Sequence, residues 1–294
     1  MRTAPCIARQ YTPQLCNTPP IPAAPPAIDR CPVFDNNEAV YSDSHLHLVD
    51  LNDRDPDFPS SFPVPDWRGA VVAHDIEEFE ISETLRASLP FTVAGFGIHP
   101  QAIRWDTADY MRELAEKGKI AFIGEAGFEF FGDRPEWIRN DENVRKQREA
   151  FEFQLALAVG KGLPLLIHSR KGLDLIMGYG RELGKLPALI FHGWPGRIHD
   201  ARAFLKKGVP AYFSFGMPLL RDAKHAMETC AAIPEDRILS ETDAPWQPPK
   251  GETWTSPGKI AAVSRKIAAI REIDTEAMDV LLRKNFNKAF GVKE

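Results

Sequence analysis

Short apolar runs alternate with longer stretches of helical periodicity from about residue 38 onward. Most of the runs are continuous and have the length of a strand, and several end at Gly, Pro or Asp. This is typical of parallel strands that are buried on both faces. Eight runs have this character: AVYSDSHL, GAVVAHD, FTVAGFGIHP, KIAFIGEAG, LPLLIHSR, PALIFHGW, VPAYFSFG and RILSETDAP. We therefore predict eight buried parallel strands.

The stretches between these runs predict helices. The clearest is ENVRKQREAFEFQLALAVGKG, in which Val144, Phe151, Leu155 and Ala158 form an apolar stripe at helical spacing. Charged residues fill the other face of this helix, and Gly162 is its expected end. Strands and helices thus alternate along the chain.

Eight strand–helix units over about 250 residues predict a (β/α)₈ TIM barrel. A doubly wound open sheet is the alternative, but no strand is followed by the glycine-rich turn of a dinucleotide-binding fold. The segment GYGRELG at 178–184 has one residue too many for that motif and follows a predicted helix. The sequence therefore predicts no organic cofactor.

Residues 1–37 differ from the rest of the chain because they are rich in proline and poor in large apolar residues. This composition predicts a flexible, partly extended tail, which leaves residues 38–294 as the barrel domain. The tail lacks the apolar core of a signal peptide, and no apolar run reaches the length of a membrane span. We therefore expect no association with a membrane.

The net charge of −5 and the pI near 6.0 give no sign of a broadly basic surface for nucleic acid, although a local positive patch remains compatible with them. Four cysteines, at positions 6, 16, 31 and 230, lack the spacing of a disulfide framework or a zinc finger. A reducing, cytoplasmic setting is the simplest expectation. The sequence does not indicate oligomeric partners.

Titratable residues collect at the ends of the predicted strands. In a barrel these ends open on one face, where active sites are built. Only His199 and His225 of the eight histidines fall in predicted helices. The strand ends carry His45, His47, His74 with Asp75, His99, Glu125, His168 with Arg170, His192 and Asp243. This segregation predicts one shared site.

His45 and His47 lie two residues apart, so on a strand both imidazoles point to the same side and can hold one cation. Together with Glu125, His168, His192 and Asp243, they give four imidazoles and two carboxylates. One tetrahedral ion needs fewer ligands, and the set suits two divalent ions that share a carboxylate. A metal-free polar network or acid–base groups alone are the alternatives, but neither explains four histidines.

The ordered motifs SDSHLHL, GIHP, GEAGFEF, LPLLIHSR, FHGW, ETDAP and NFNKAFG resemble the TatD family of metal-dependent hydrolases over nearly all of residues 40–290. The resemblance implies a TIM barrel of the metal-dependent hydrolase type. It also implies a divalent-metal nuclease activity that cleaves phosphodiester bonds of DNA, often as a 3′–5′ exonuclease. By this resemblance, two divalent ions would activate a water molecule for attack on the phosphorus atom.

The resemblance further implies the role of each ligand. His45 and His47 would hold the first ion together with Asp243, which would also accept the proton of the attacking water. Glu125 would bridge the two ions, and this role makes it, with Asp243, a predicted catalytic residue.

His168 and His192 would complete the second ion site. Zn or Mn suits a histidine-rich site, whereas family nucleases often use Mg, so the sequence leaves the identity of the metal open.

Four further residues are candidates for substrate contacts. His99 in GIHP could contact substrate or stabilise its own loop, and Arg170 could bind a phosphate or pair with a barrel carboxylate. Trp194 and Trp246 could stack on a base or a sugar, or could simply pack at the rim. For His74 and Asp75, which belong to no family motif, we expect a structural role.

Some positions depart from the family pattern. Glu129 in GFEF stands where many members have Asp, and the loop WQPPKGETWTSPGK contains lysines but no arginine. Since phosphate contacts supply much of the affinity for nucleic acid, this loop weakens the case for DNA.

The ordered motifs nevertheless favour a TatD-type hydrolase of DNA or oligonucleotides, and this is our prediction. The alternatives are an amidohydrolase or lactonase acting on a small molecule, and a non-catalytic metal-bound scaffold.

Overall fold

The computed structural model describes residues 40–58 and 67–293. The predicted N-terminal tail lies outside the described residues. Each of the eight predicted runs corresponds to one strand of the structure. The strands are β1 Ser42–Leu46, β2 Arg68–Ala73, β3 Thr92–Phe96, β4 Phe122–Glu129, β5 Leu165–Arg170, β6 Leu189–Phe191, β7 Ala211–Phe215 and β8 Ile238–Ser240.

The eight strands form one parallel sheet in chain order, β1 to β8. The sheet closes because the segment after β8 pairs with β1: the Asp243 amide donates to the His45 carbonyl at 3.0 Å, and the His47 amide donates to the Ala244 carbonyl at 2.8 Å. A parallel bridge joins Leu46 to Ala244 at the same place. The predicted TIM barrel is therefore confirmed.

Helices follow the strands and cover the outside of the barrel. Their bounds are α1 Leu48–Arg54, α2 Ile76–Arg86, α3 Ala108–Glu116, α4 Asp141–Lys161, α5 Leu173–Met177, α6 Gly180–Leu183, α7 Ile198–Lys206, α8 Met217–Leu220, α9 Lys224–Ala232, α10 Ile260–Arg271 and α11 Thr275–Phe290. Short 3₁₀ turns lie at Trp105–Thr107, Pro135–Trp137, Glu235–Arg237 and Pro257–Lys259. Among the described residues, no helix combines the length and the hydropathy needed to cross a bilayer.

Helix α4 is the helix predicted from the apolar stripe. The Asn140 side chain caps its first turn by accepting from the Asn143 amide, and Gly162 ends it with φ of 65°. Glycine suits this last position because other residues are strained at positive φ. Phe151 and Ala158 are fully buried against the barrel.

Two buried glutamines of α4 fix the ends of neighbouring strands. The Gln147 amide group accepts from the Glu129 amide at 2.9 Å and donates to the Glu129 carbonyl at 3.0 Å. Gln154 makes the same pair of bonds with Ile98, at 2.9 and 3.0 Å. Because these bonds satisfy backbone groups where the sheet ladder stops, they hold the segments that carry Glu129 and His99.

The amino-terminal end of the barrel is filled by apolar side chains. Phe122 of β4 packs on Phe290 of α11, with ring centroids 5.1 Å apart. The same cluster contains inward-facing residues of other strands: Val72, Leu166, Ile190, Tyr212 and Leu239. With this end packed, the polar residues of the barrel gather at its carboxyl end.

Candidate metal centre

The six predicted ligands meet at the carboxyl end of the barrel. His45 lies in β1, Glu125 in β4 and His168 in β5, while His192 directly follows β6. Asp243 lies three residues past β8, with φ of 58°. All six are at least nine-tenths buried, although their side chains are charged or polar: His45, His47, Glu125, His168, His192 and Asp243.

The histidine pair is not arranged as a regular strand would place it. His45 belongs to β1, but His47 lies beyond the strand and forms the N-cap of α1. The pairing register of β1 with β2 also shifts between Asp43 and Leu46. Both imidazoles still face the site because the segment after β8 holds the end of β1 in place.

One group of donor atoms surrounds the Oε2 atom of Glu125. His45 Nε2 lies 3.5 Å and His47 Nε2 lies 3.6 Å from this oxygen. The same two nitrogens lie 3.4 and 3.5 Å from Asp243 Oδ1. A tetrahedral ion with bonds of about 2.0–2.2 Å has ligand atoms about 3.3–3.6 Å apart, so the distance of each imidazole nitrogen from the two carboxylate oxygens suits ligands of one ion.

A second group surrounds the other oxygen of the same carboxylate. His168 Nδ1 lies 3.3 Å and His192 Nε2 lies 3.0 Å from Glu125 Oε1, and the two nitrogens are 3.1 Å apart. Adjacent ligands of an octahedral or tetrahedral ion are about 3.0–3.6 Å apart. Glu125 therefore offers one oxygen to each group.

Buried nitrogens support a cation at this position. Within the described part of the chain, neither ring nitrogen of His45 has a hydrogen-bond partner, and His192 Nδ1 also lacks one. A buried polar atom without a partner is costly. A cation would satisfy His45 Nε2, which points at Glu125 and Asp243.

Glu129 orients the imidazole of His168. Glu129 Oε2 accepts from His168 Nε2 at 3.0 Å and from Gln101 Nε2 at 2.9 Å, and its Oε1 accepts from the Phe131 amide at 2.7 Å. Since Nε2 carries the hydrogen, the lone pair of His168 is on Nδ1, the atom that faces Glu125. Glu129 stands where many family members have Asp, and its longer side chain hydrogen-bonds directly to the predicted ligand His168.

Asp43 joins β1 to the segment that carries Asp243. Its carboxyl oxygens accept from the Thr242 hydroxyl at 2.6 Å and from the Thr242 amide at 2.9 Å, and one of them also accepts from the His45 amide at 3.3 Å. Complete burial raises the pKa of Asp43 to about 8, against the lowering effect of these bonds. These contacts fix His45 relative to Asp243.

The two ligand carboxylates stay ionised. Burial raises the pKa of Glu125, but the imidazoles of His45 and His192 and the hydrogen bond with His168 outweigh it and hold that pKa well below the usual range. For Asp243, burial is likewise outweighed by His45 and His47, so its pKa is also lowered. Ionised carboxylates are the form that binds a cation.

The His99 ring nitrogen that faces Glu125 carries the hydrogen. The Gln101 amide donates to His99 Nδ1 at 3.1 Å, so the hydrogen of the neutral ring is on Nε2. Burial lowers the pKa of His99 to about 3, which keeps the ring neutral. Nε2 lies 3.6 Å from Glu125 Oε1 and is therefore a hydrogen donor at the edge of the site.

The other candidates for substrate contacts separate into two kinds. Arg170 and Trp246 line a cavity of about 620 Å³ that opens from the ligand cluster. Trp194 does not reach the mouth: it is 5% exposed and packs edge-on against Phe191 and Phe213, with centroids 5.1 and 4.7 Å away. The expectation of a substrate contact by Trp194 is thus replaced by core packing, because its ring turns inward between two aromatic side chains.

Comparison with known proteins gives the family. The sequence profile described as TatD related DNase matches residues 42–291. The chain belongs to the TatD family. It is a metal-dependent hydrolase, as the sequence motifs predicted.

The TatD relatives carry two kinds of name. The uncharacterized metal-dependent hydrolase YabD of Bacillus subtilis is 30% identical over 210 residues, covering 69% of this chain and 78% of that protein. The 3′-5′ ssDNA/RNA exonuclease TatD of Dickeya dadantii is 29% identical over 226 residues, covering 73% and 83%.

Solved TatD structures share the barrel. YJJV, a TatD homologue from Escherichia coli, aligns with a TM-score of 0.73 at 23% identity, covering 86% of this chain and 98% of that one. A TatD family hydrolase from Entamoeba histolytica aligns with a TM-score of 0.70 at 15% identity, covering 87% and 99%. At these identities the likeness concerns the fold alone.

His74 also lies beside the candidate metal centre, although no sequence motif singled it out. Its Nε2 lies 3.2 Å from Glu125 Oε2, and its Nδ1 lies 3.4 Å from the Gly97 carbonyl. Its donor atom falls in one group with those of His47 and Glu125. The sequence signal for it was its position at the end of the second predicted strand.

Proposed function

We propose that this TatD family member is a divalent-metal-dependent nuclease that hydrolyses phosphodiester bonds of DNA or oligonucleotides. The observation that carries the proposal is the pair of donor groups that share the Glu125 carboxylate. The nuclease names of relatives such as the Dickeya exonuclease support the choice of bond.

Two ions would be held by the six predicted ligands. His45, His47 and Asp243 would hold one ion with Glu125 Oε2, and His168 and His192 would hold the other with Glu125 Oε1. Bound divalent ions would lower the pKa of a water molecule and neutralise charge on the phosphoryl oxygens. The donor set suits Zn or Mn, and carboxylate oxygens also admit Mg.

Asp243 would take the proton of the attacking water. Its Oδ1 faces His45 and His47, while its Oδ2 accepts from Gln247 Nε2 at 2.7 Å. This bond and the ionised state of the carboxylate would keep it oriented as an acceptor.

Two arginines supply a local positive patch that the overall charge does not reveal. Arg170 and Arg221 line the larger cavity beside the ligands. The Arg170 guanidinium stacks on Phe131 at 4.1 Å, and Arg221 donates to the Gln247 carbonyl at 2.7 Å. We propose that they bind phosphates of the substrate strand, for which the planar guanidinium is well suited.

Metal analysis combined with activity measurements tests the proposal. Wild type loaded with Mn, Zn or Mg should degrade single-stranded DNA, and the Asp243→Asn variant should lose at least about 10³-fold in kcat, in line with loss of a charged group at the reacting centre. Asp222→Asn is a matched control, because Asp222 is an exposed aspartate that also has positive φ and pairs with Lys266 on the surface. Its rate should match that of wild type.

A lactone and a generic phosphodiester belong in the same assay. Hydrolysis of the lactone without hydrolysis of either phosphodiester would contradict the proposal and favour the small-molecule alternative. Wild-type activity in the Asp243→Asn variant would contradict the assignment of the catalytic carboxylate. If the protein retains no divalent ion after dialysis against buffer that contains trace metal, the assignment of the six residues as metal ligands is wrong.

A further inference from the structure

Two cavities open side by side at the carboxyl end of the barrel. The larger has a volume of about 620 Å³ and the smaller about 440 Å³. They share four lining residues, His47, His99, Gln101 and Trp246. The candidate metal centre therefore borders both cavities, and a substrate held there can extend into each.

Apart from the predicted ligands, the charged side chains that line the larger cavity are arginines. It is lined by Arg170 and Arg221, and among the described residues its carboxylates are those of Glu125 and Asp243. Arg170 Nη1 also lies 3.8 Å from Oε2 of the buried Glu129, whereas Arg221 has no carboxylate partner among the described lining residues of this cavity, so the arginines remain the positive groups of the wall when Glu125 and Asp243 hold cations. This cavity favours a substrate segment that carries phosphates.

The smaller cavity has the opposite character. Asp50, Asp75, Glu77 and Glu78 line it, and no described lining residue is a lysine or an arginine. Arg104 approaches Asp75 from outside, with 3.8 Å between its Nη1 and Oδ2 of Asp75, but it also pairs with Asp106. The wall of this cavity therefore keeps an excess of negative charge.

The start of helix α2 lies in this wall without offering an anion site. A free helix N-terminus attracts anions through its unpaired amides and its dipole. Here the Asp75 carboxylate accepts from the Glu78 amide at 2.9 Å, and Glu77 and Glu78 occupy the first turn. Glu78 Oε2 in turn accepts from the His74 amide at 2.6 Å. These acidic groups occupy the positions at which a phosphate would bind.

We propose that the smaller cavity binds the terminal nucleoside of the substrate strand and that its carboxylates exclude a terminal phosphate. The rest of the strand would then lie over Arg170 and Arg221. The proposal rests on the nuclease function proposed above, and it adds that the enzyme acts on strands ending in a free hydroxyl.

Size and hydrogen bonding agree with a single nucleoside. Pockets of about 300–1,000 Å³ hold small organic ligands, and the smaller cavity lies within this range. A terminal hydroxyl can donate to a carboxylate, whereas a phosphate of about −2 charge is repelled by it. Trp246, which borders both cavities and is 47% exposed, offers a ring on which a base can stack.

For a strand whose 3′ end lies in the smaller cavity, the proposal specifies the bond that is cleaved. Water attacks the phosphorus between the last two nucleosides, and the bond from phosphorus to the 3′ oxygen of the preceding nucleoside breaks. That oxygen takes a proton and leaves as the new 3′ hydroxyl. The terminal nucleoside leaves with the phosphate as a 5′ monophosphate.

The test compares two oligonucleotides that differ only in a 3′ hydroxyl or a 3′ phosphate. For the metal-loaded full-length protein, kcat/KM should be at least about tenfold higher with the hydroxyl end. In the triple variant Asp75→Asn, Glu77→Gln and Glu78→Gln, this ratio should fall by about tenfold. The amides keep the shape of each side chain, and the side-chain oxygen that Asp75→Asn retains would still cap α2.

A matched triple variant separates local from overall charge. Glu142→Gln, Glu149→Gln and Glu152→Gln make the same change in net charge on α4, where none of the three lines either cavity. The ratio should remain that of wild type. The single variant Glu77→Gln changes an exposed position and should lower the ratio about twofold, which keeps the test valid if the triple variant does not fold.

The outcomes separate the two proposals. If wild type hydrolyses neither oligonucleotide, the nuclease function is wrong. If it hydrolyses both at the same rate, the nuclease function stands and the terminal-nucleoside site is wrong. If it discriminates but neither acidic variant changes the ratio, the carboxylates do not cause the discrimination and the inference is overturned.

Discussion

The hydrogen bond between Glu129 and His168 shows how one residue determines what its neighbour can bind. His168 has two ring nitrogens, and the sequence motif does not say which of them carries the hydrogen. Glu129, which is fully buried, accepts from Nε2 and leaves Nδ1 for a cation. Such carboxylate–histidine pairs raise the basicity of the ligand and fix its orientation.

We expect Glu129→Ala to lower the affinity for the ion held by His168 and His192 by about 10–100-fold, because the ring of His168 loses its orienting partner. Competition with a fluorescent chelator measures this affinity. Glu129→Asp, which restores a carboxylate one methylene further away, should fall between the alanine variant and wild type. Equal affinities in all three proteins would show that Glu129 does not position His168.

At the scale of elements, the pairing of β4 with β5 decides where Glu125 and His168 meet. Gly127 lies opposite His168 in this ladder and has φ of 143°. A Cβ atom at Gly127 would lie 1.9 Å from the His168 carbonyl oxygen. The close approach of the two strands therefore requires glycine at this position.

Gly127→Ala should destabilise the protein by more than about 2 kcal/mol, because it combines a backbone clash with an unfavourable φ. Gly160→Ala is the matched control: this exposed glycine lies within α4, and a Cβ there would meet nothing within 4 Å. That substitution should stabilise by about 0.5–1 kcal/mol. Thermal and urea unfolding of both variants measure the effects, and destabilisation by the two to a similar degree would contradict the strand-contact explanation.

At the scale of the whole molecule, the candidate metal centre connects most of the barrel. Its donors come from β1, β4 and β5 and from the segments after β6 and β8, so a bound ion would join elements that are far apart in the sequence. The sheet closes between β1 and the segment after β8. The predicted ligand His45 lies on one side of this closure and Asp243 on the other. We therefore expect cation binding to stabilise the closed barrel.

Removal of divalent ions should lower the melting temperature by about 5–10 °C. An ion present at 100 times its dissociation constant stabilises the folded state by about 2.7 kcal/mol, and a protein of this size shifts by about 2–4 °C per kcal/mol. Differential scanning calorimetry with and without chelator measures the shift, and added Mn or Zn should reverse it. His225→Ala, at an exposed position of α9, should keep the shift, whereas His192→Ala should reduce it. A shift of the same size in the His192→Ala variant would contradict the ligand role of His192.

The sequence by itself determined the barrel and the identity of the polar residues at its mouth. Continuous apolar runs such as LPLLIHSR require burial on both faces, and their alternation with helices leaves few architectures that provide it. Because parallel strands all end on one face of a barrel, the order of strands was enough to bring Glu125 and His168 to the same side. These features follow from local periodicity and chain order.

Only the tertiary structure decided how the side chains face one another. Trp194 turns into the core, His47 lies beyond the strand, and His74 comes within hydrogen-bond distance of Glu125 although no motif contains it. The division of the mouth into a basic and an acidic cavity likewise combines residues from distant segments. Tautomers, cavity charge and donor distances depend on contacts between elements that are far apart in the chain, and for that reason a pattern read along the sequence does not contain them.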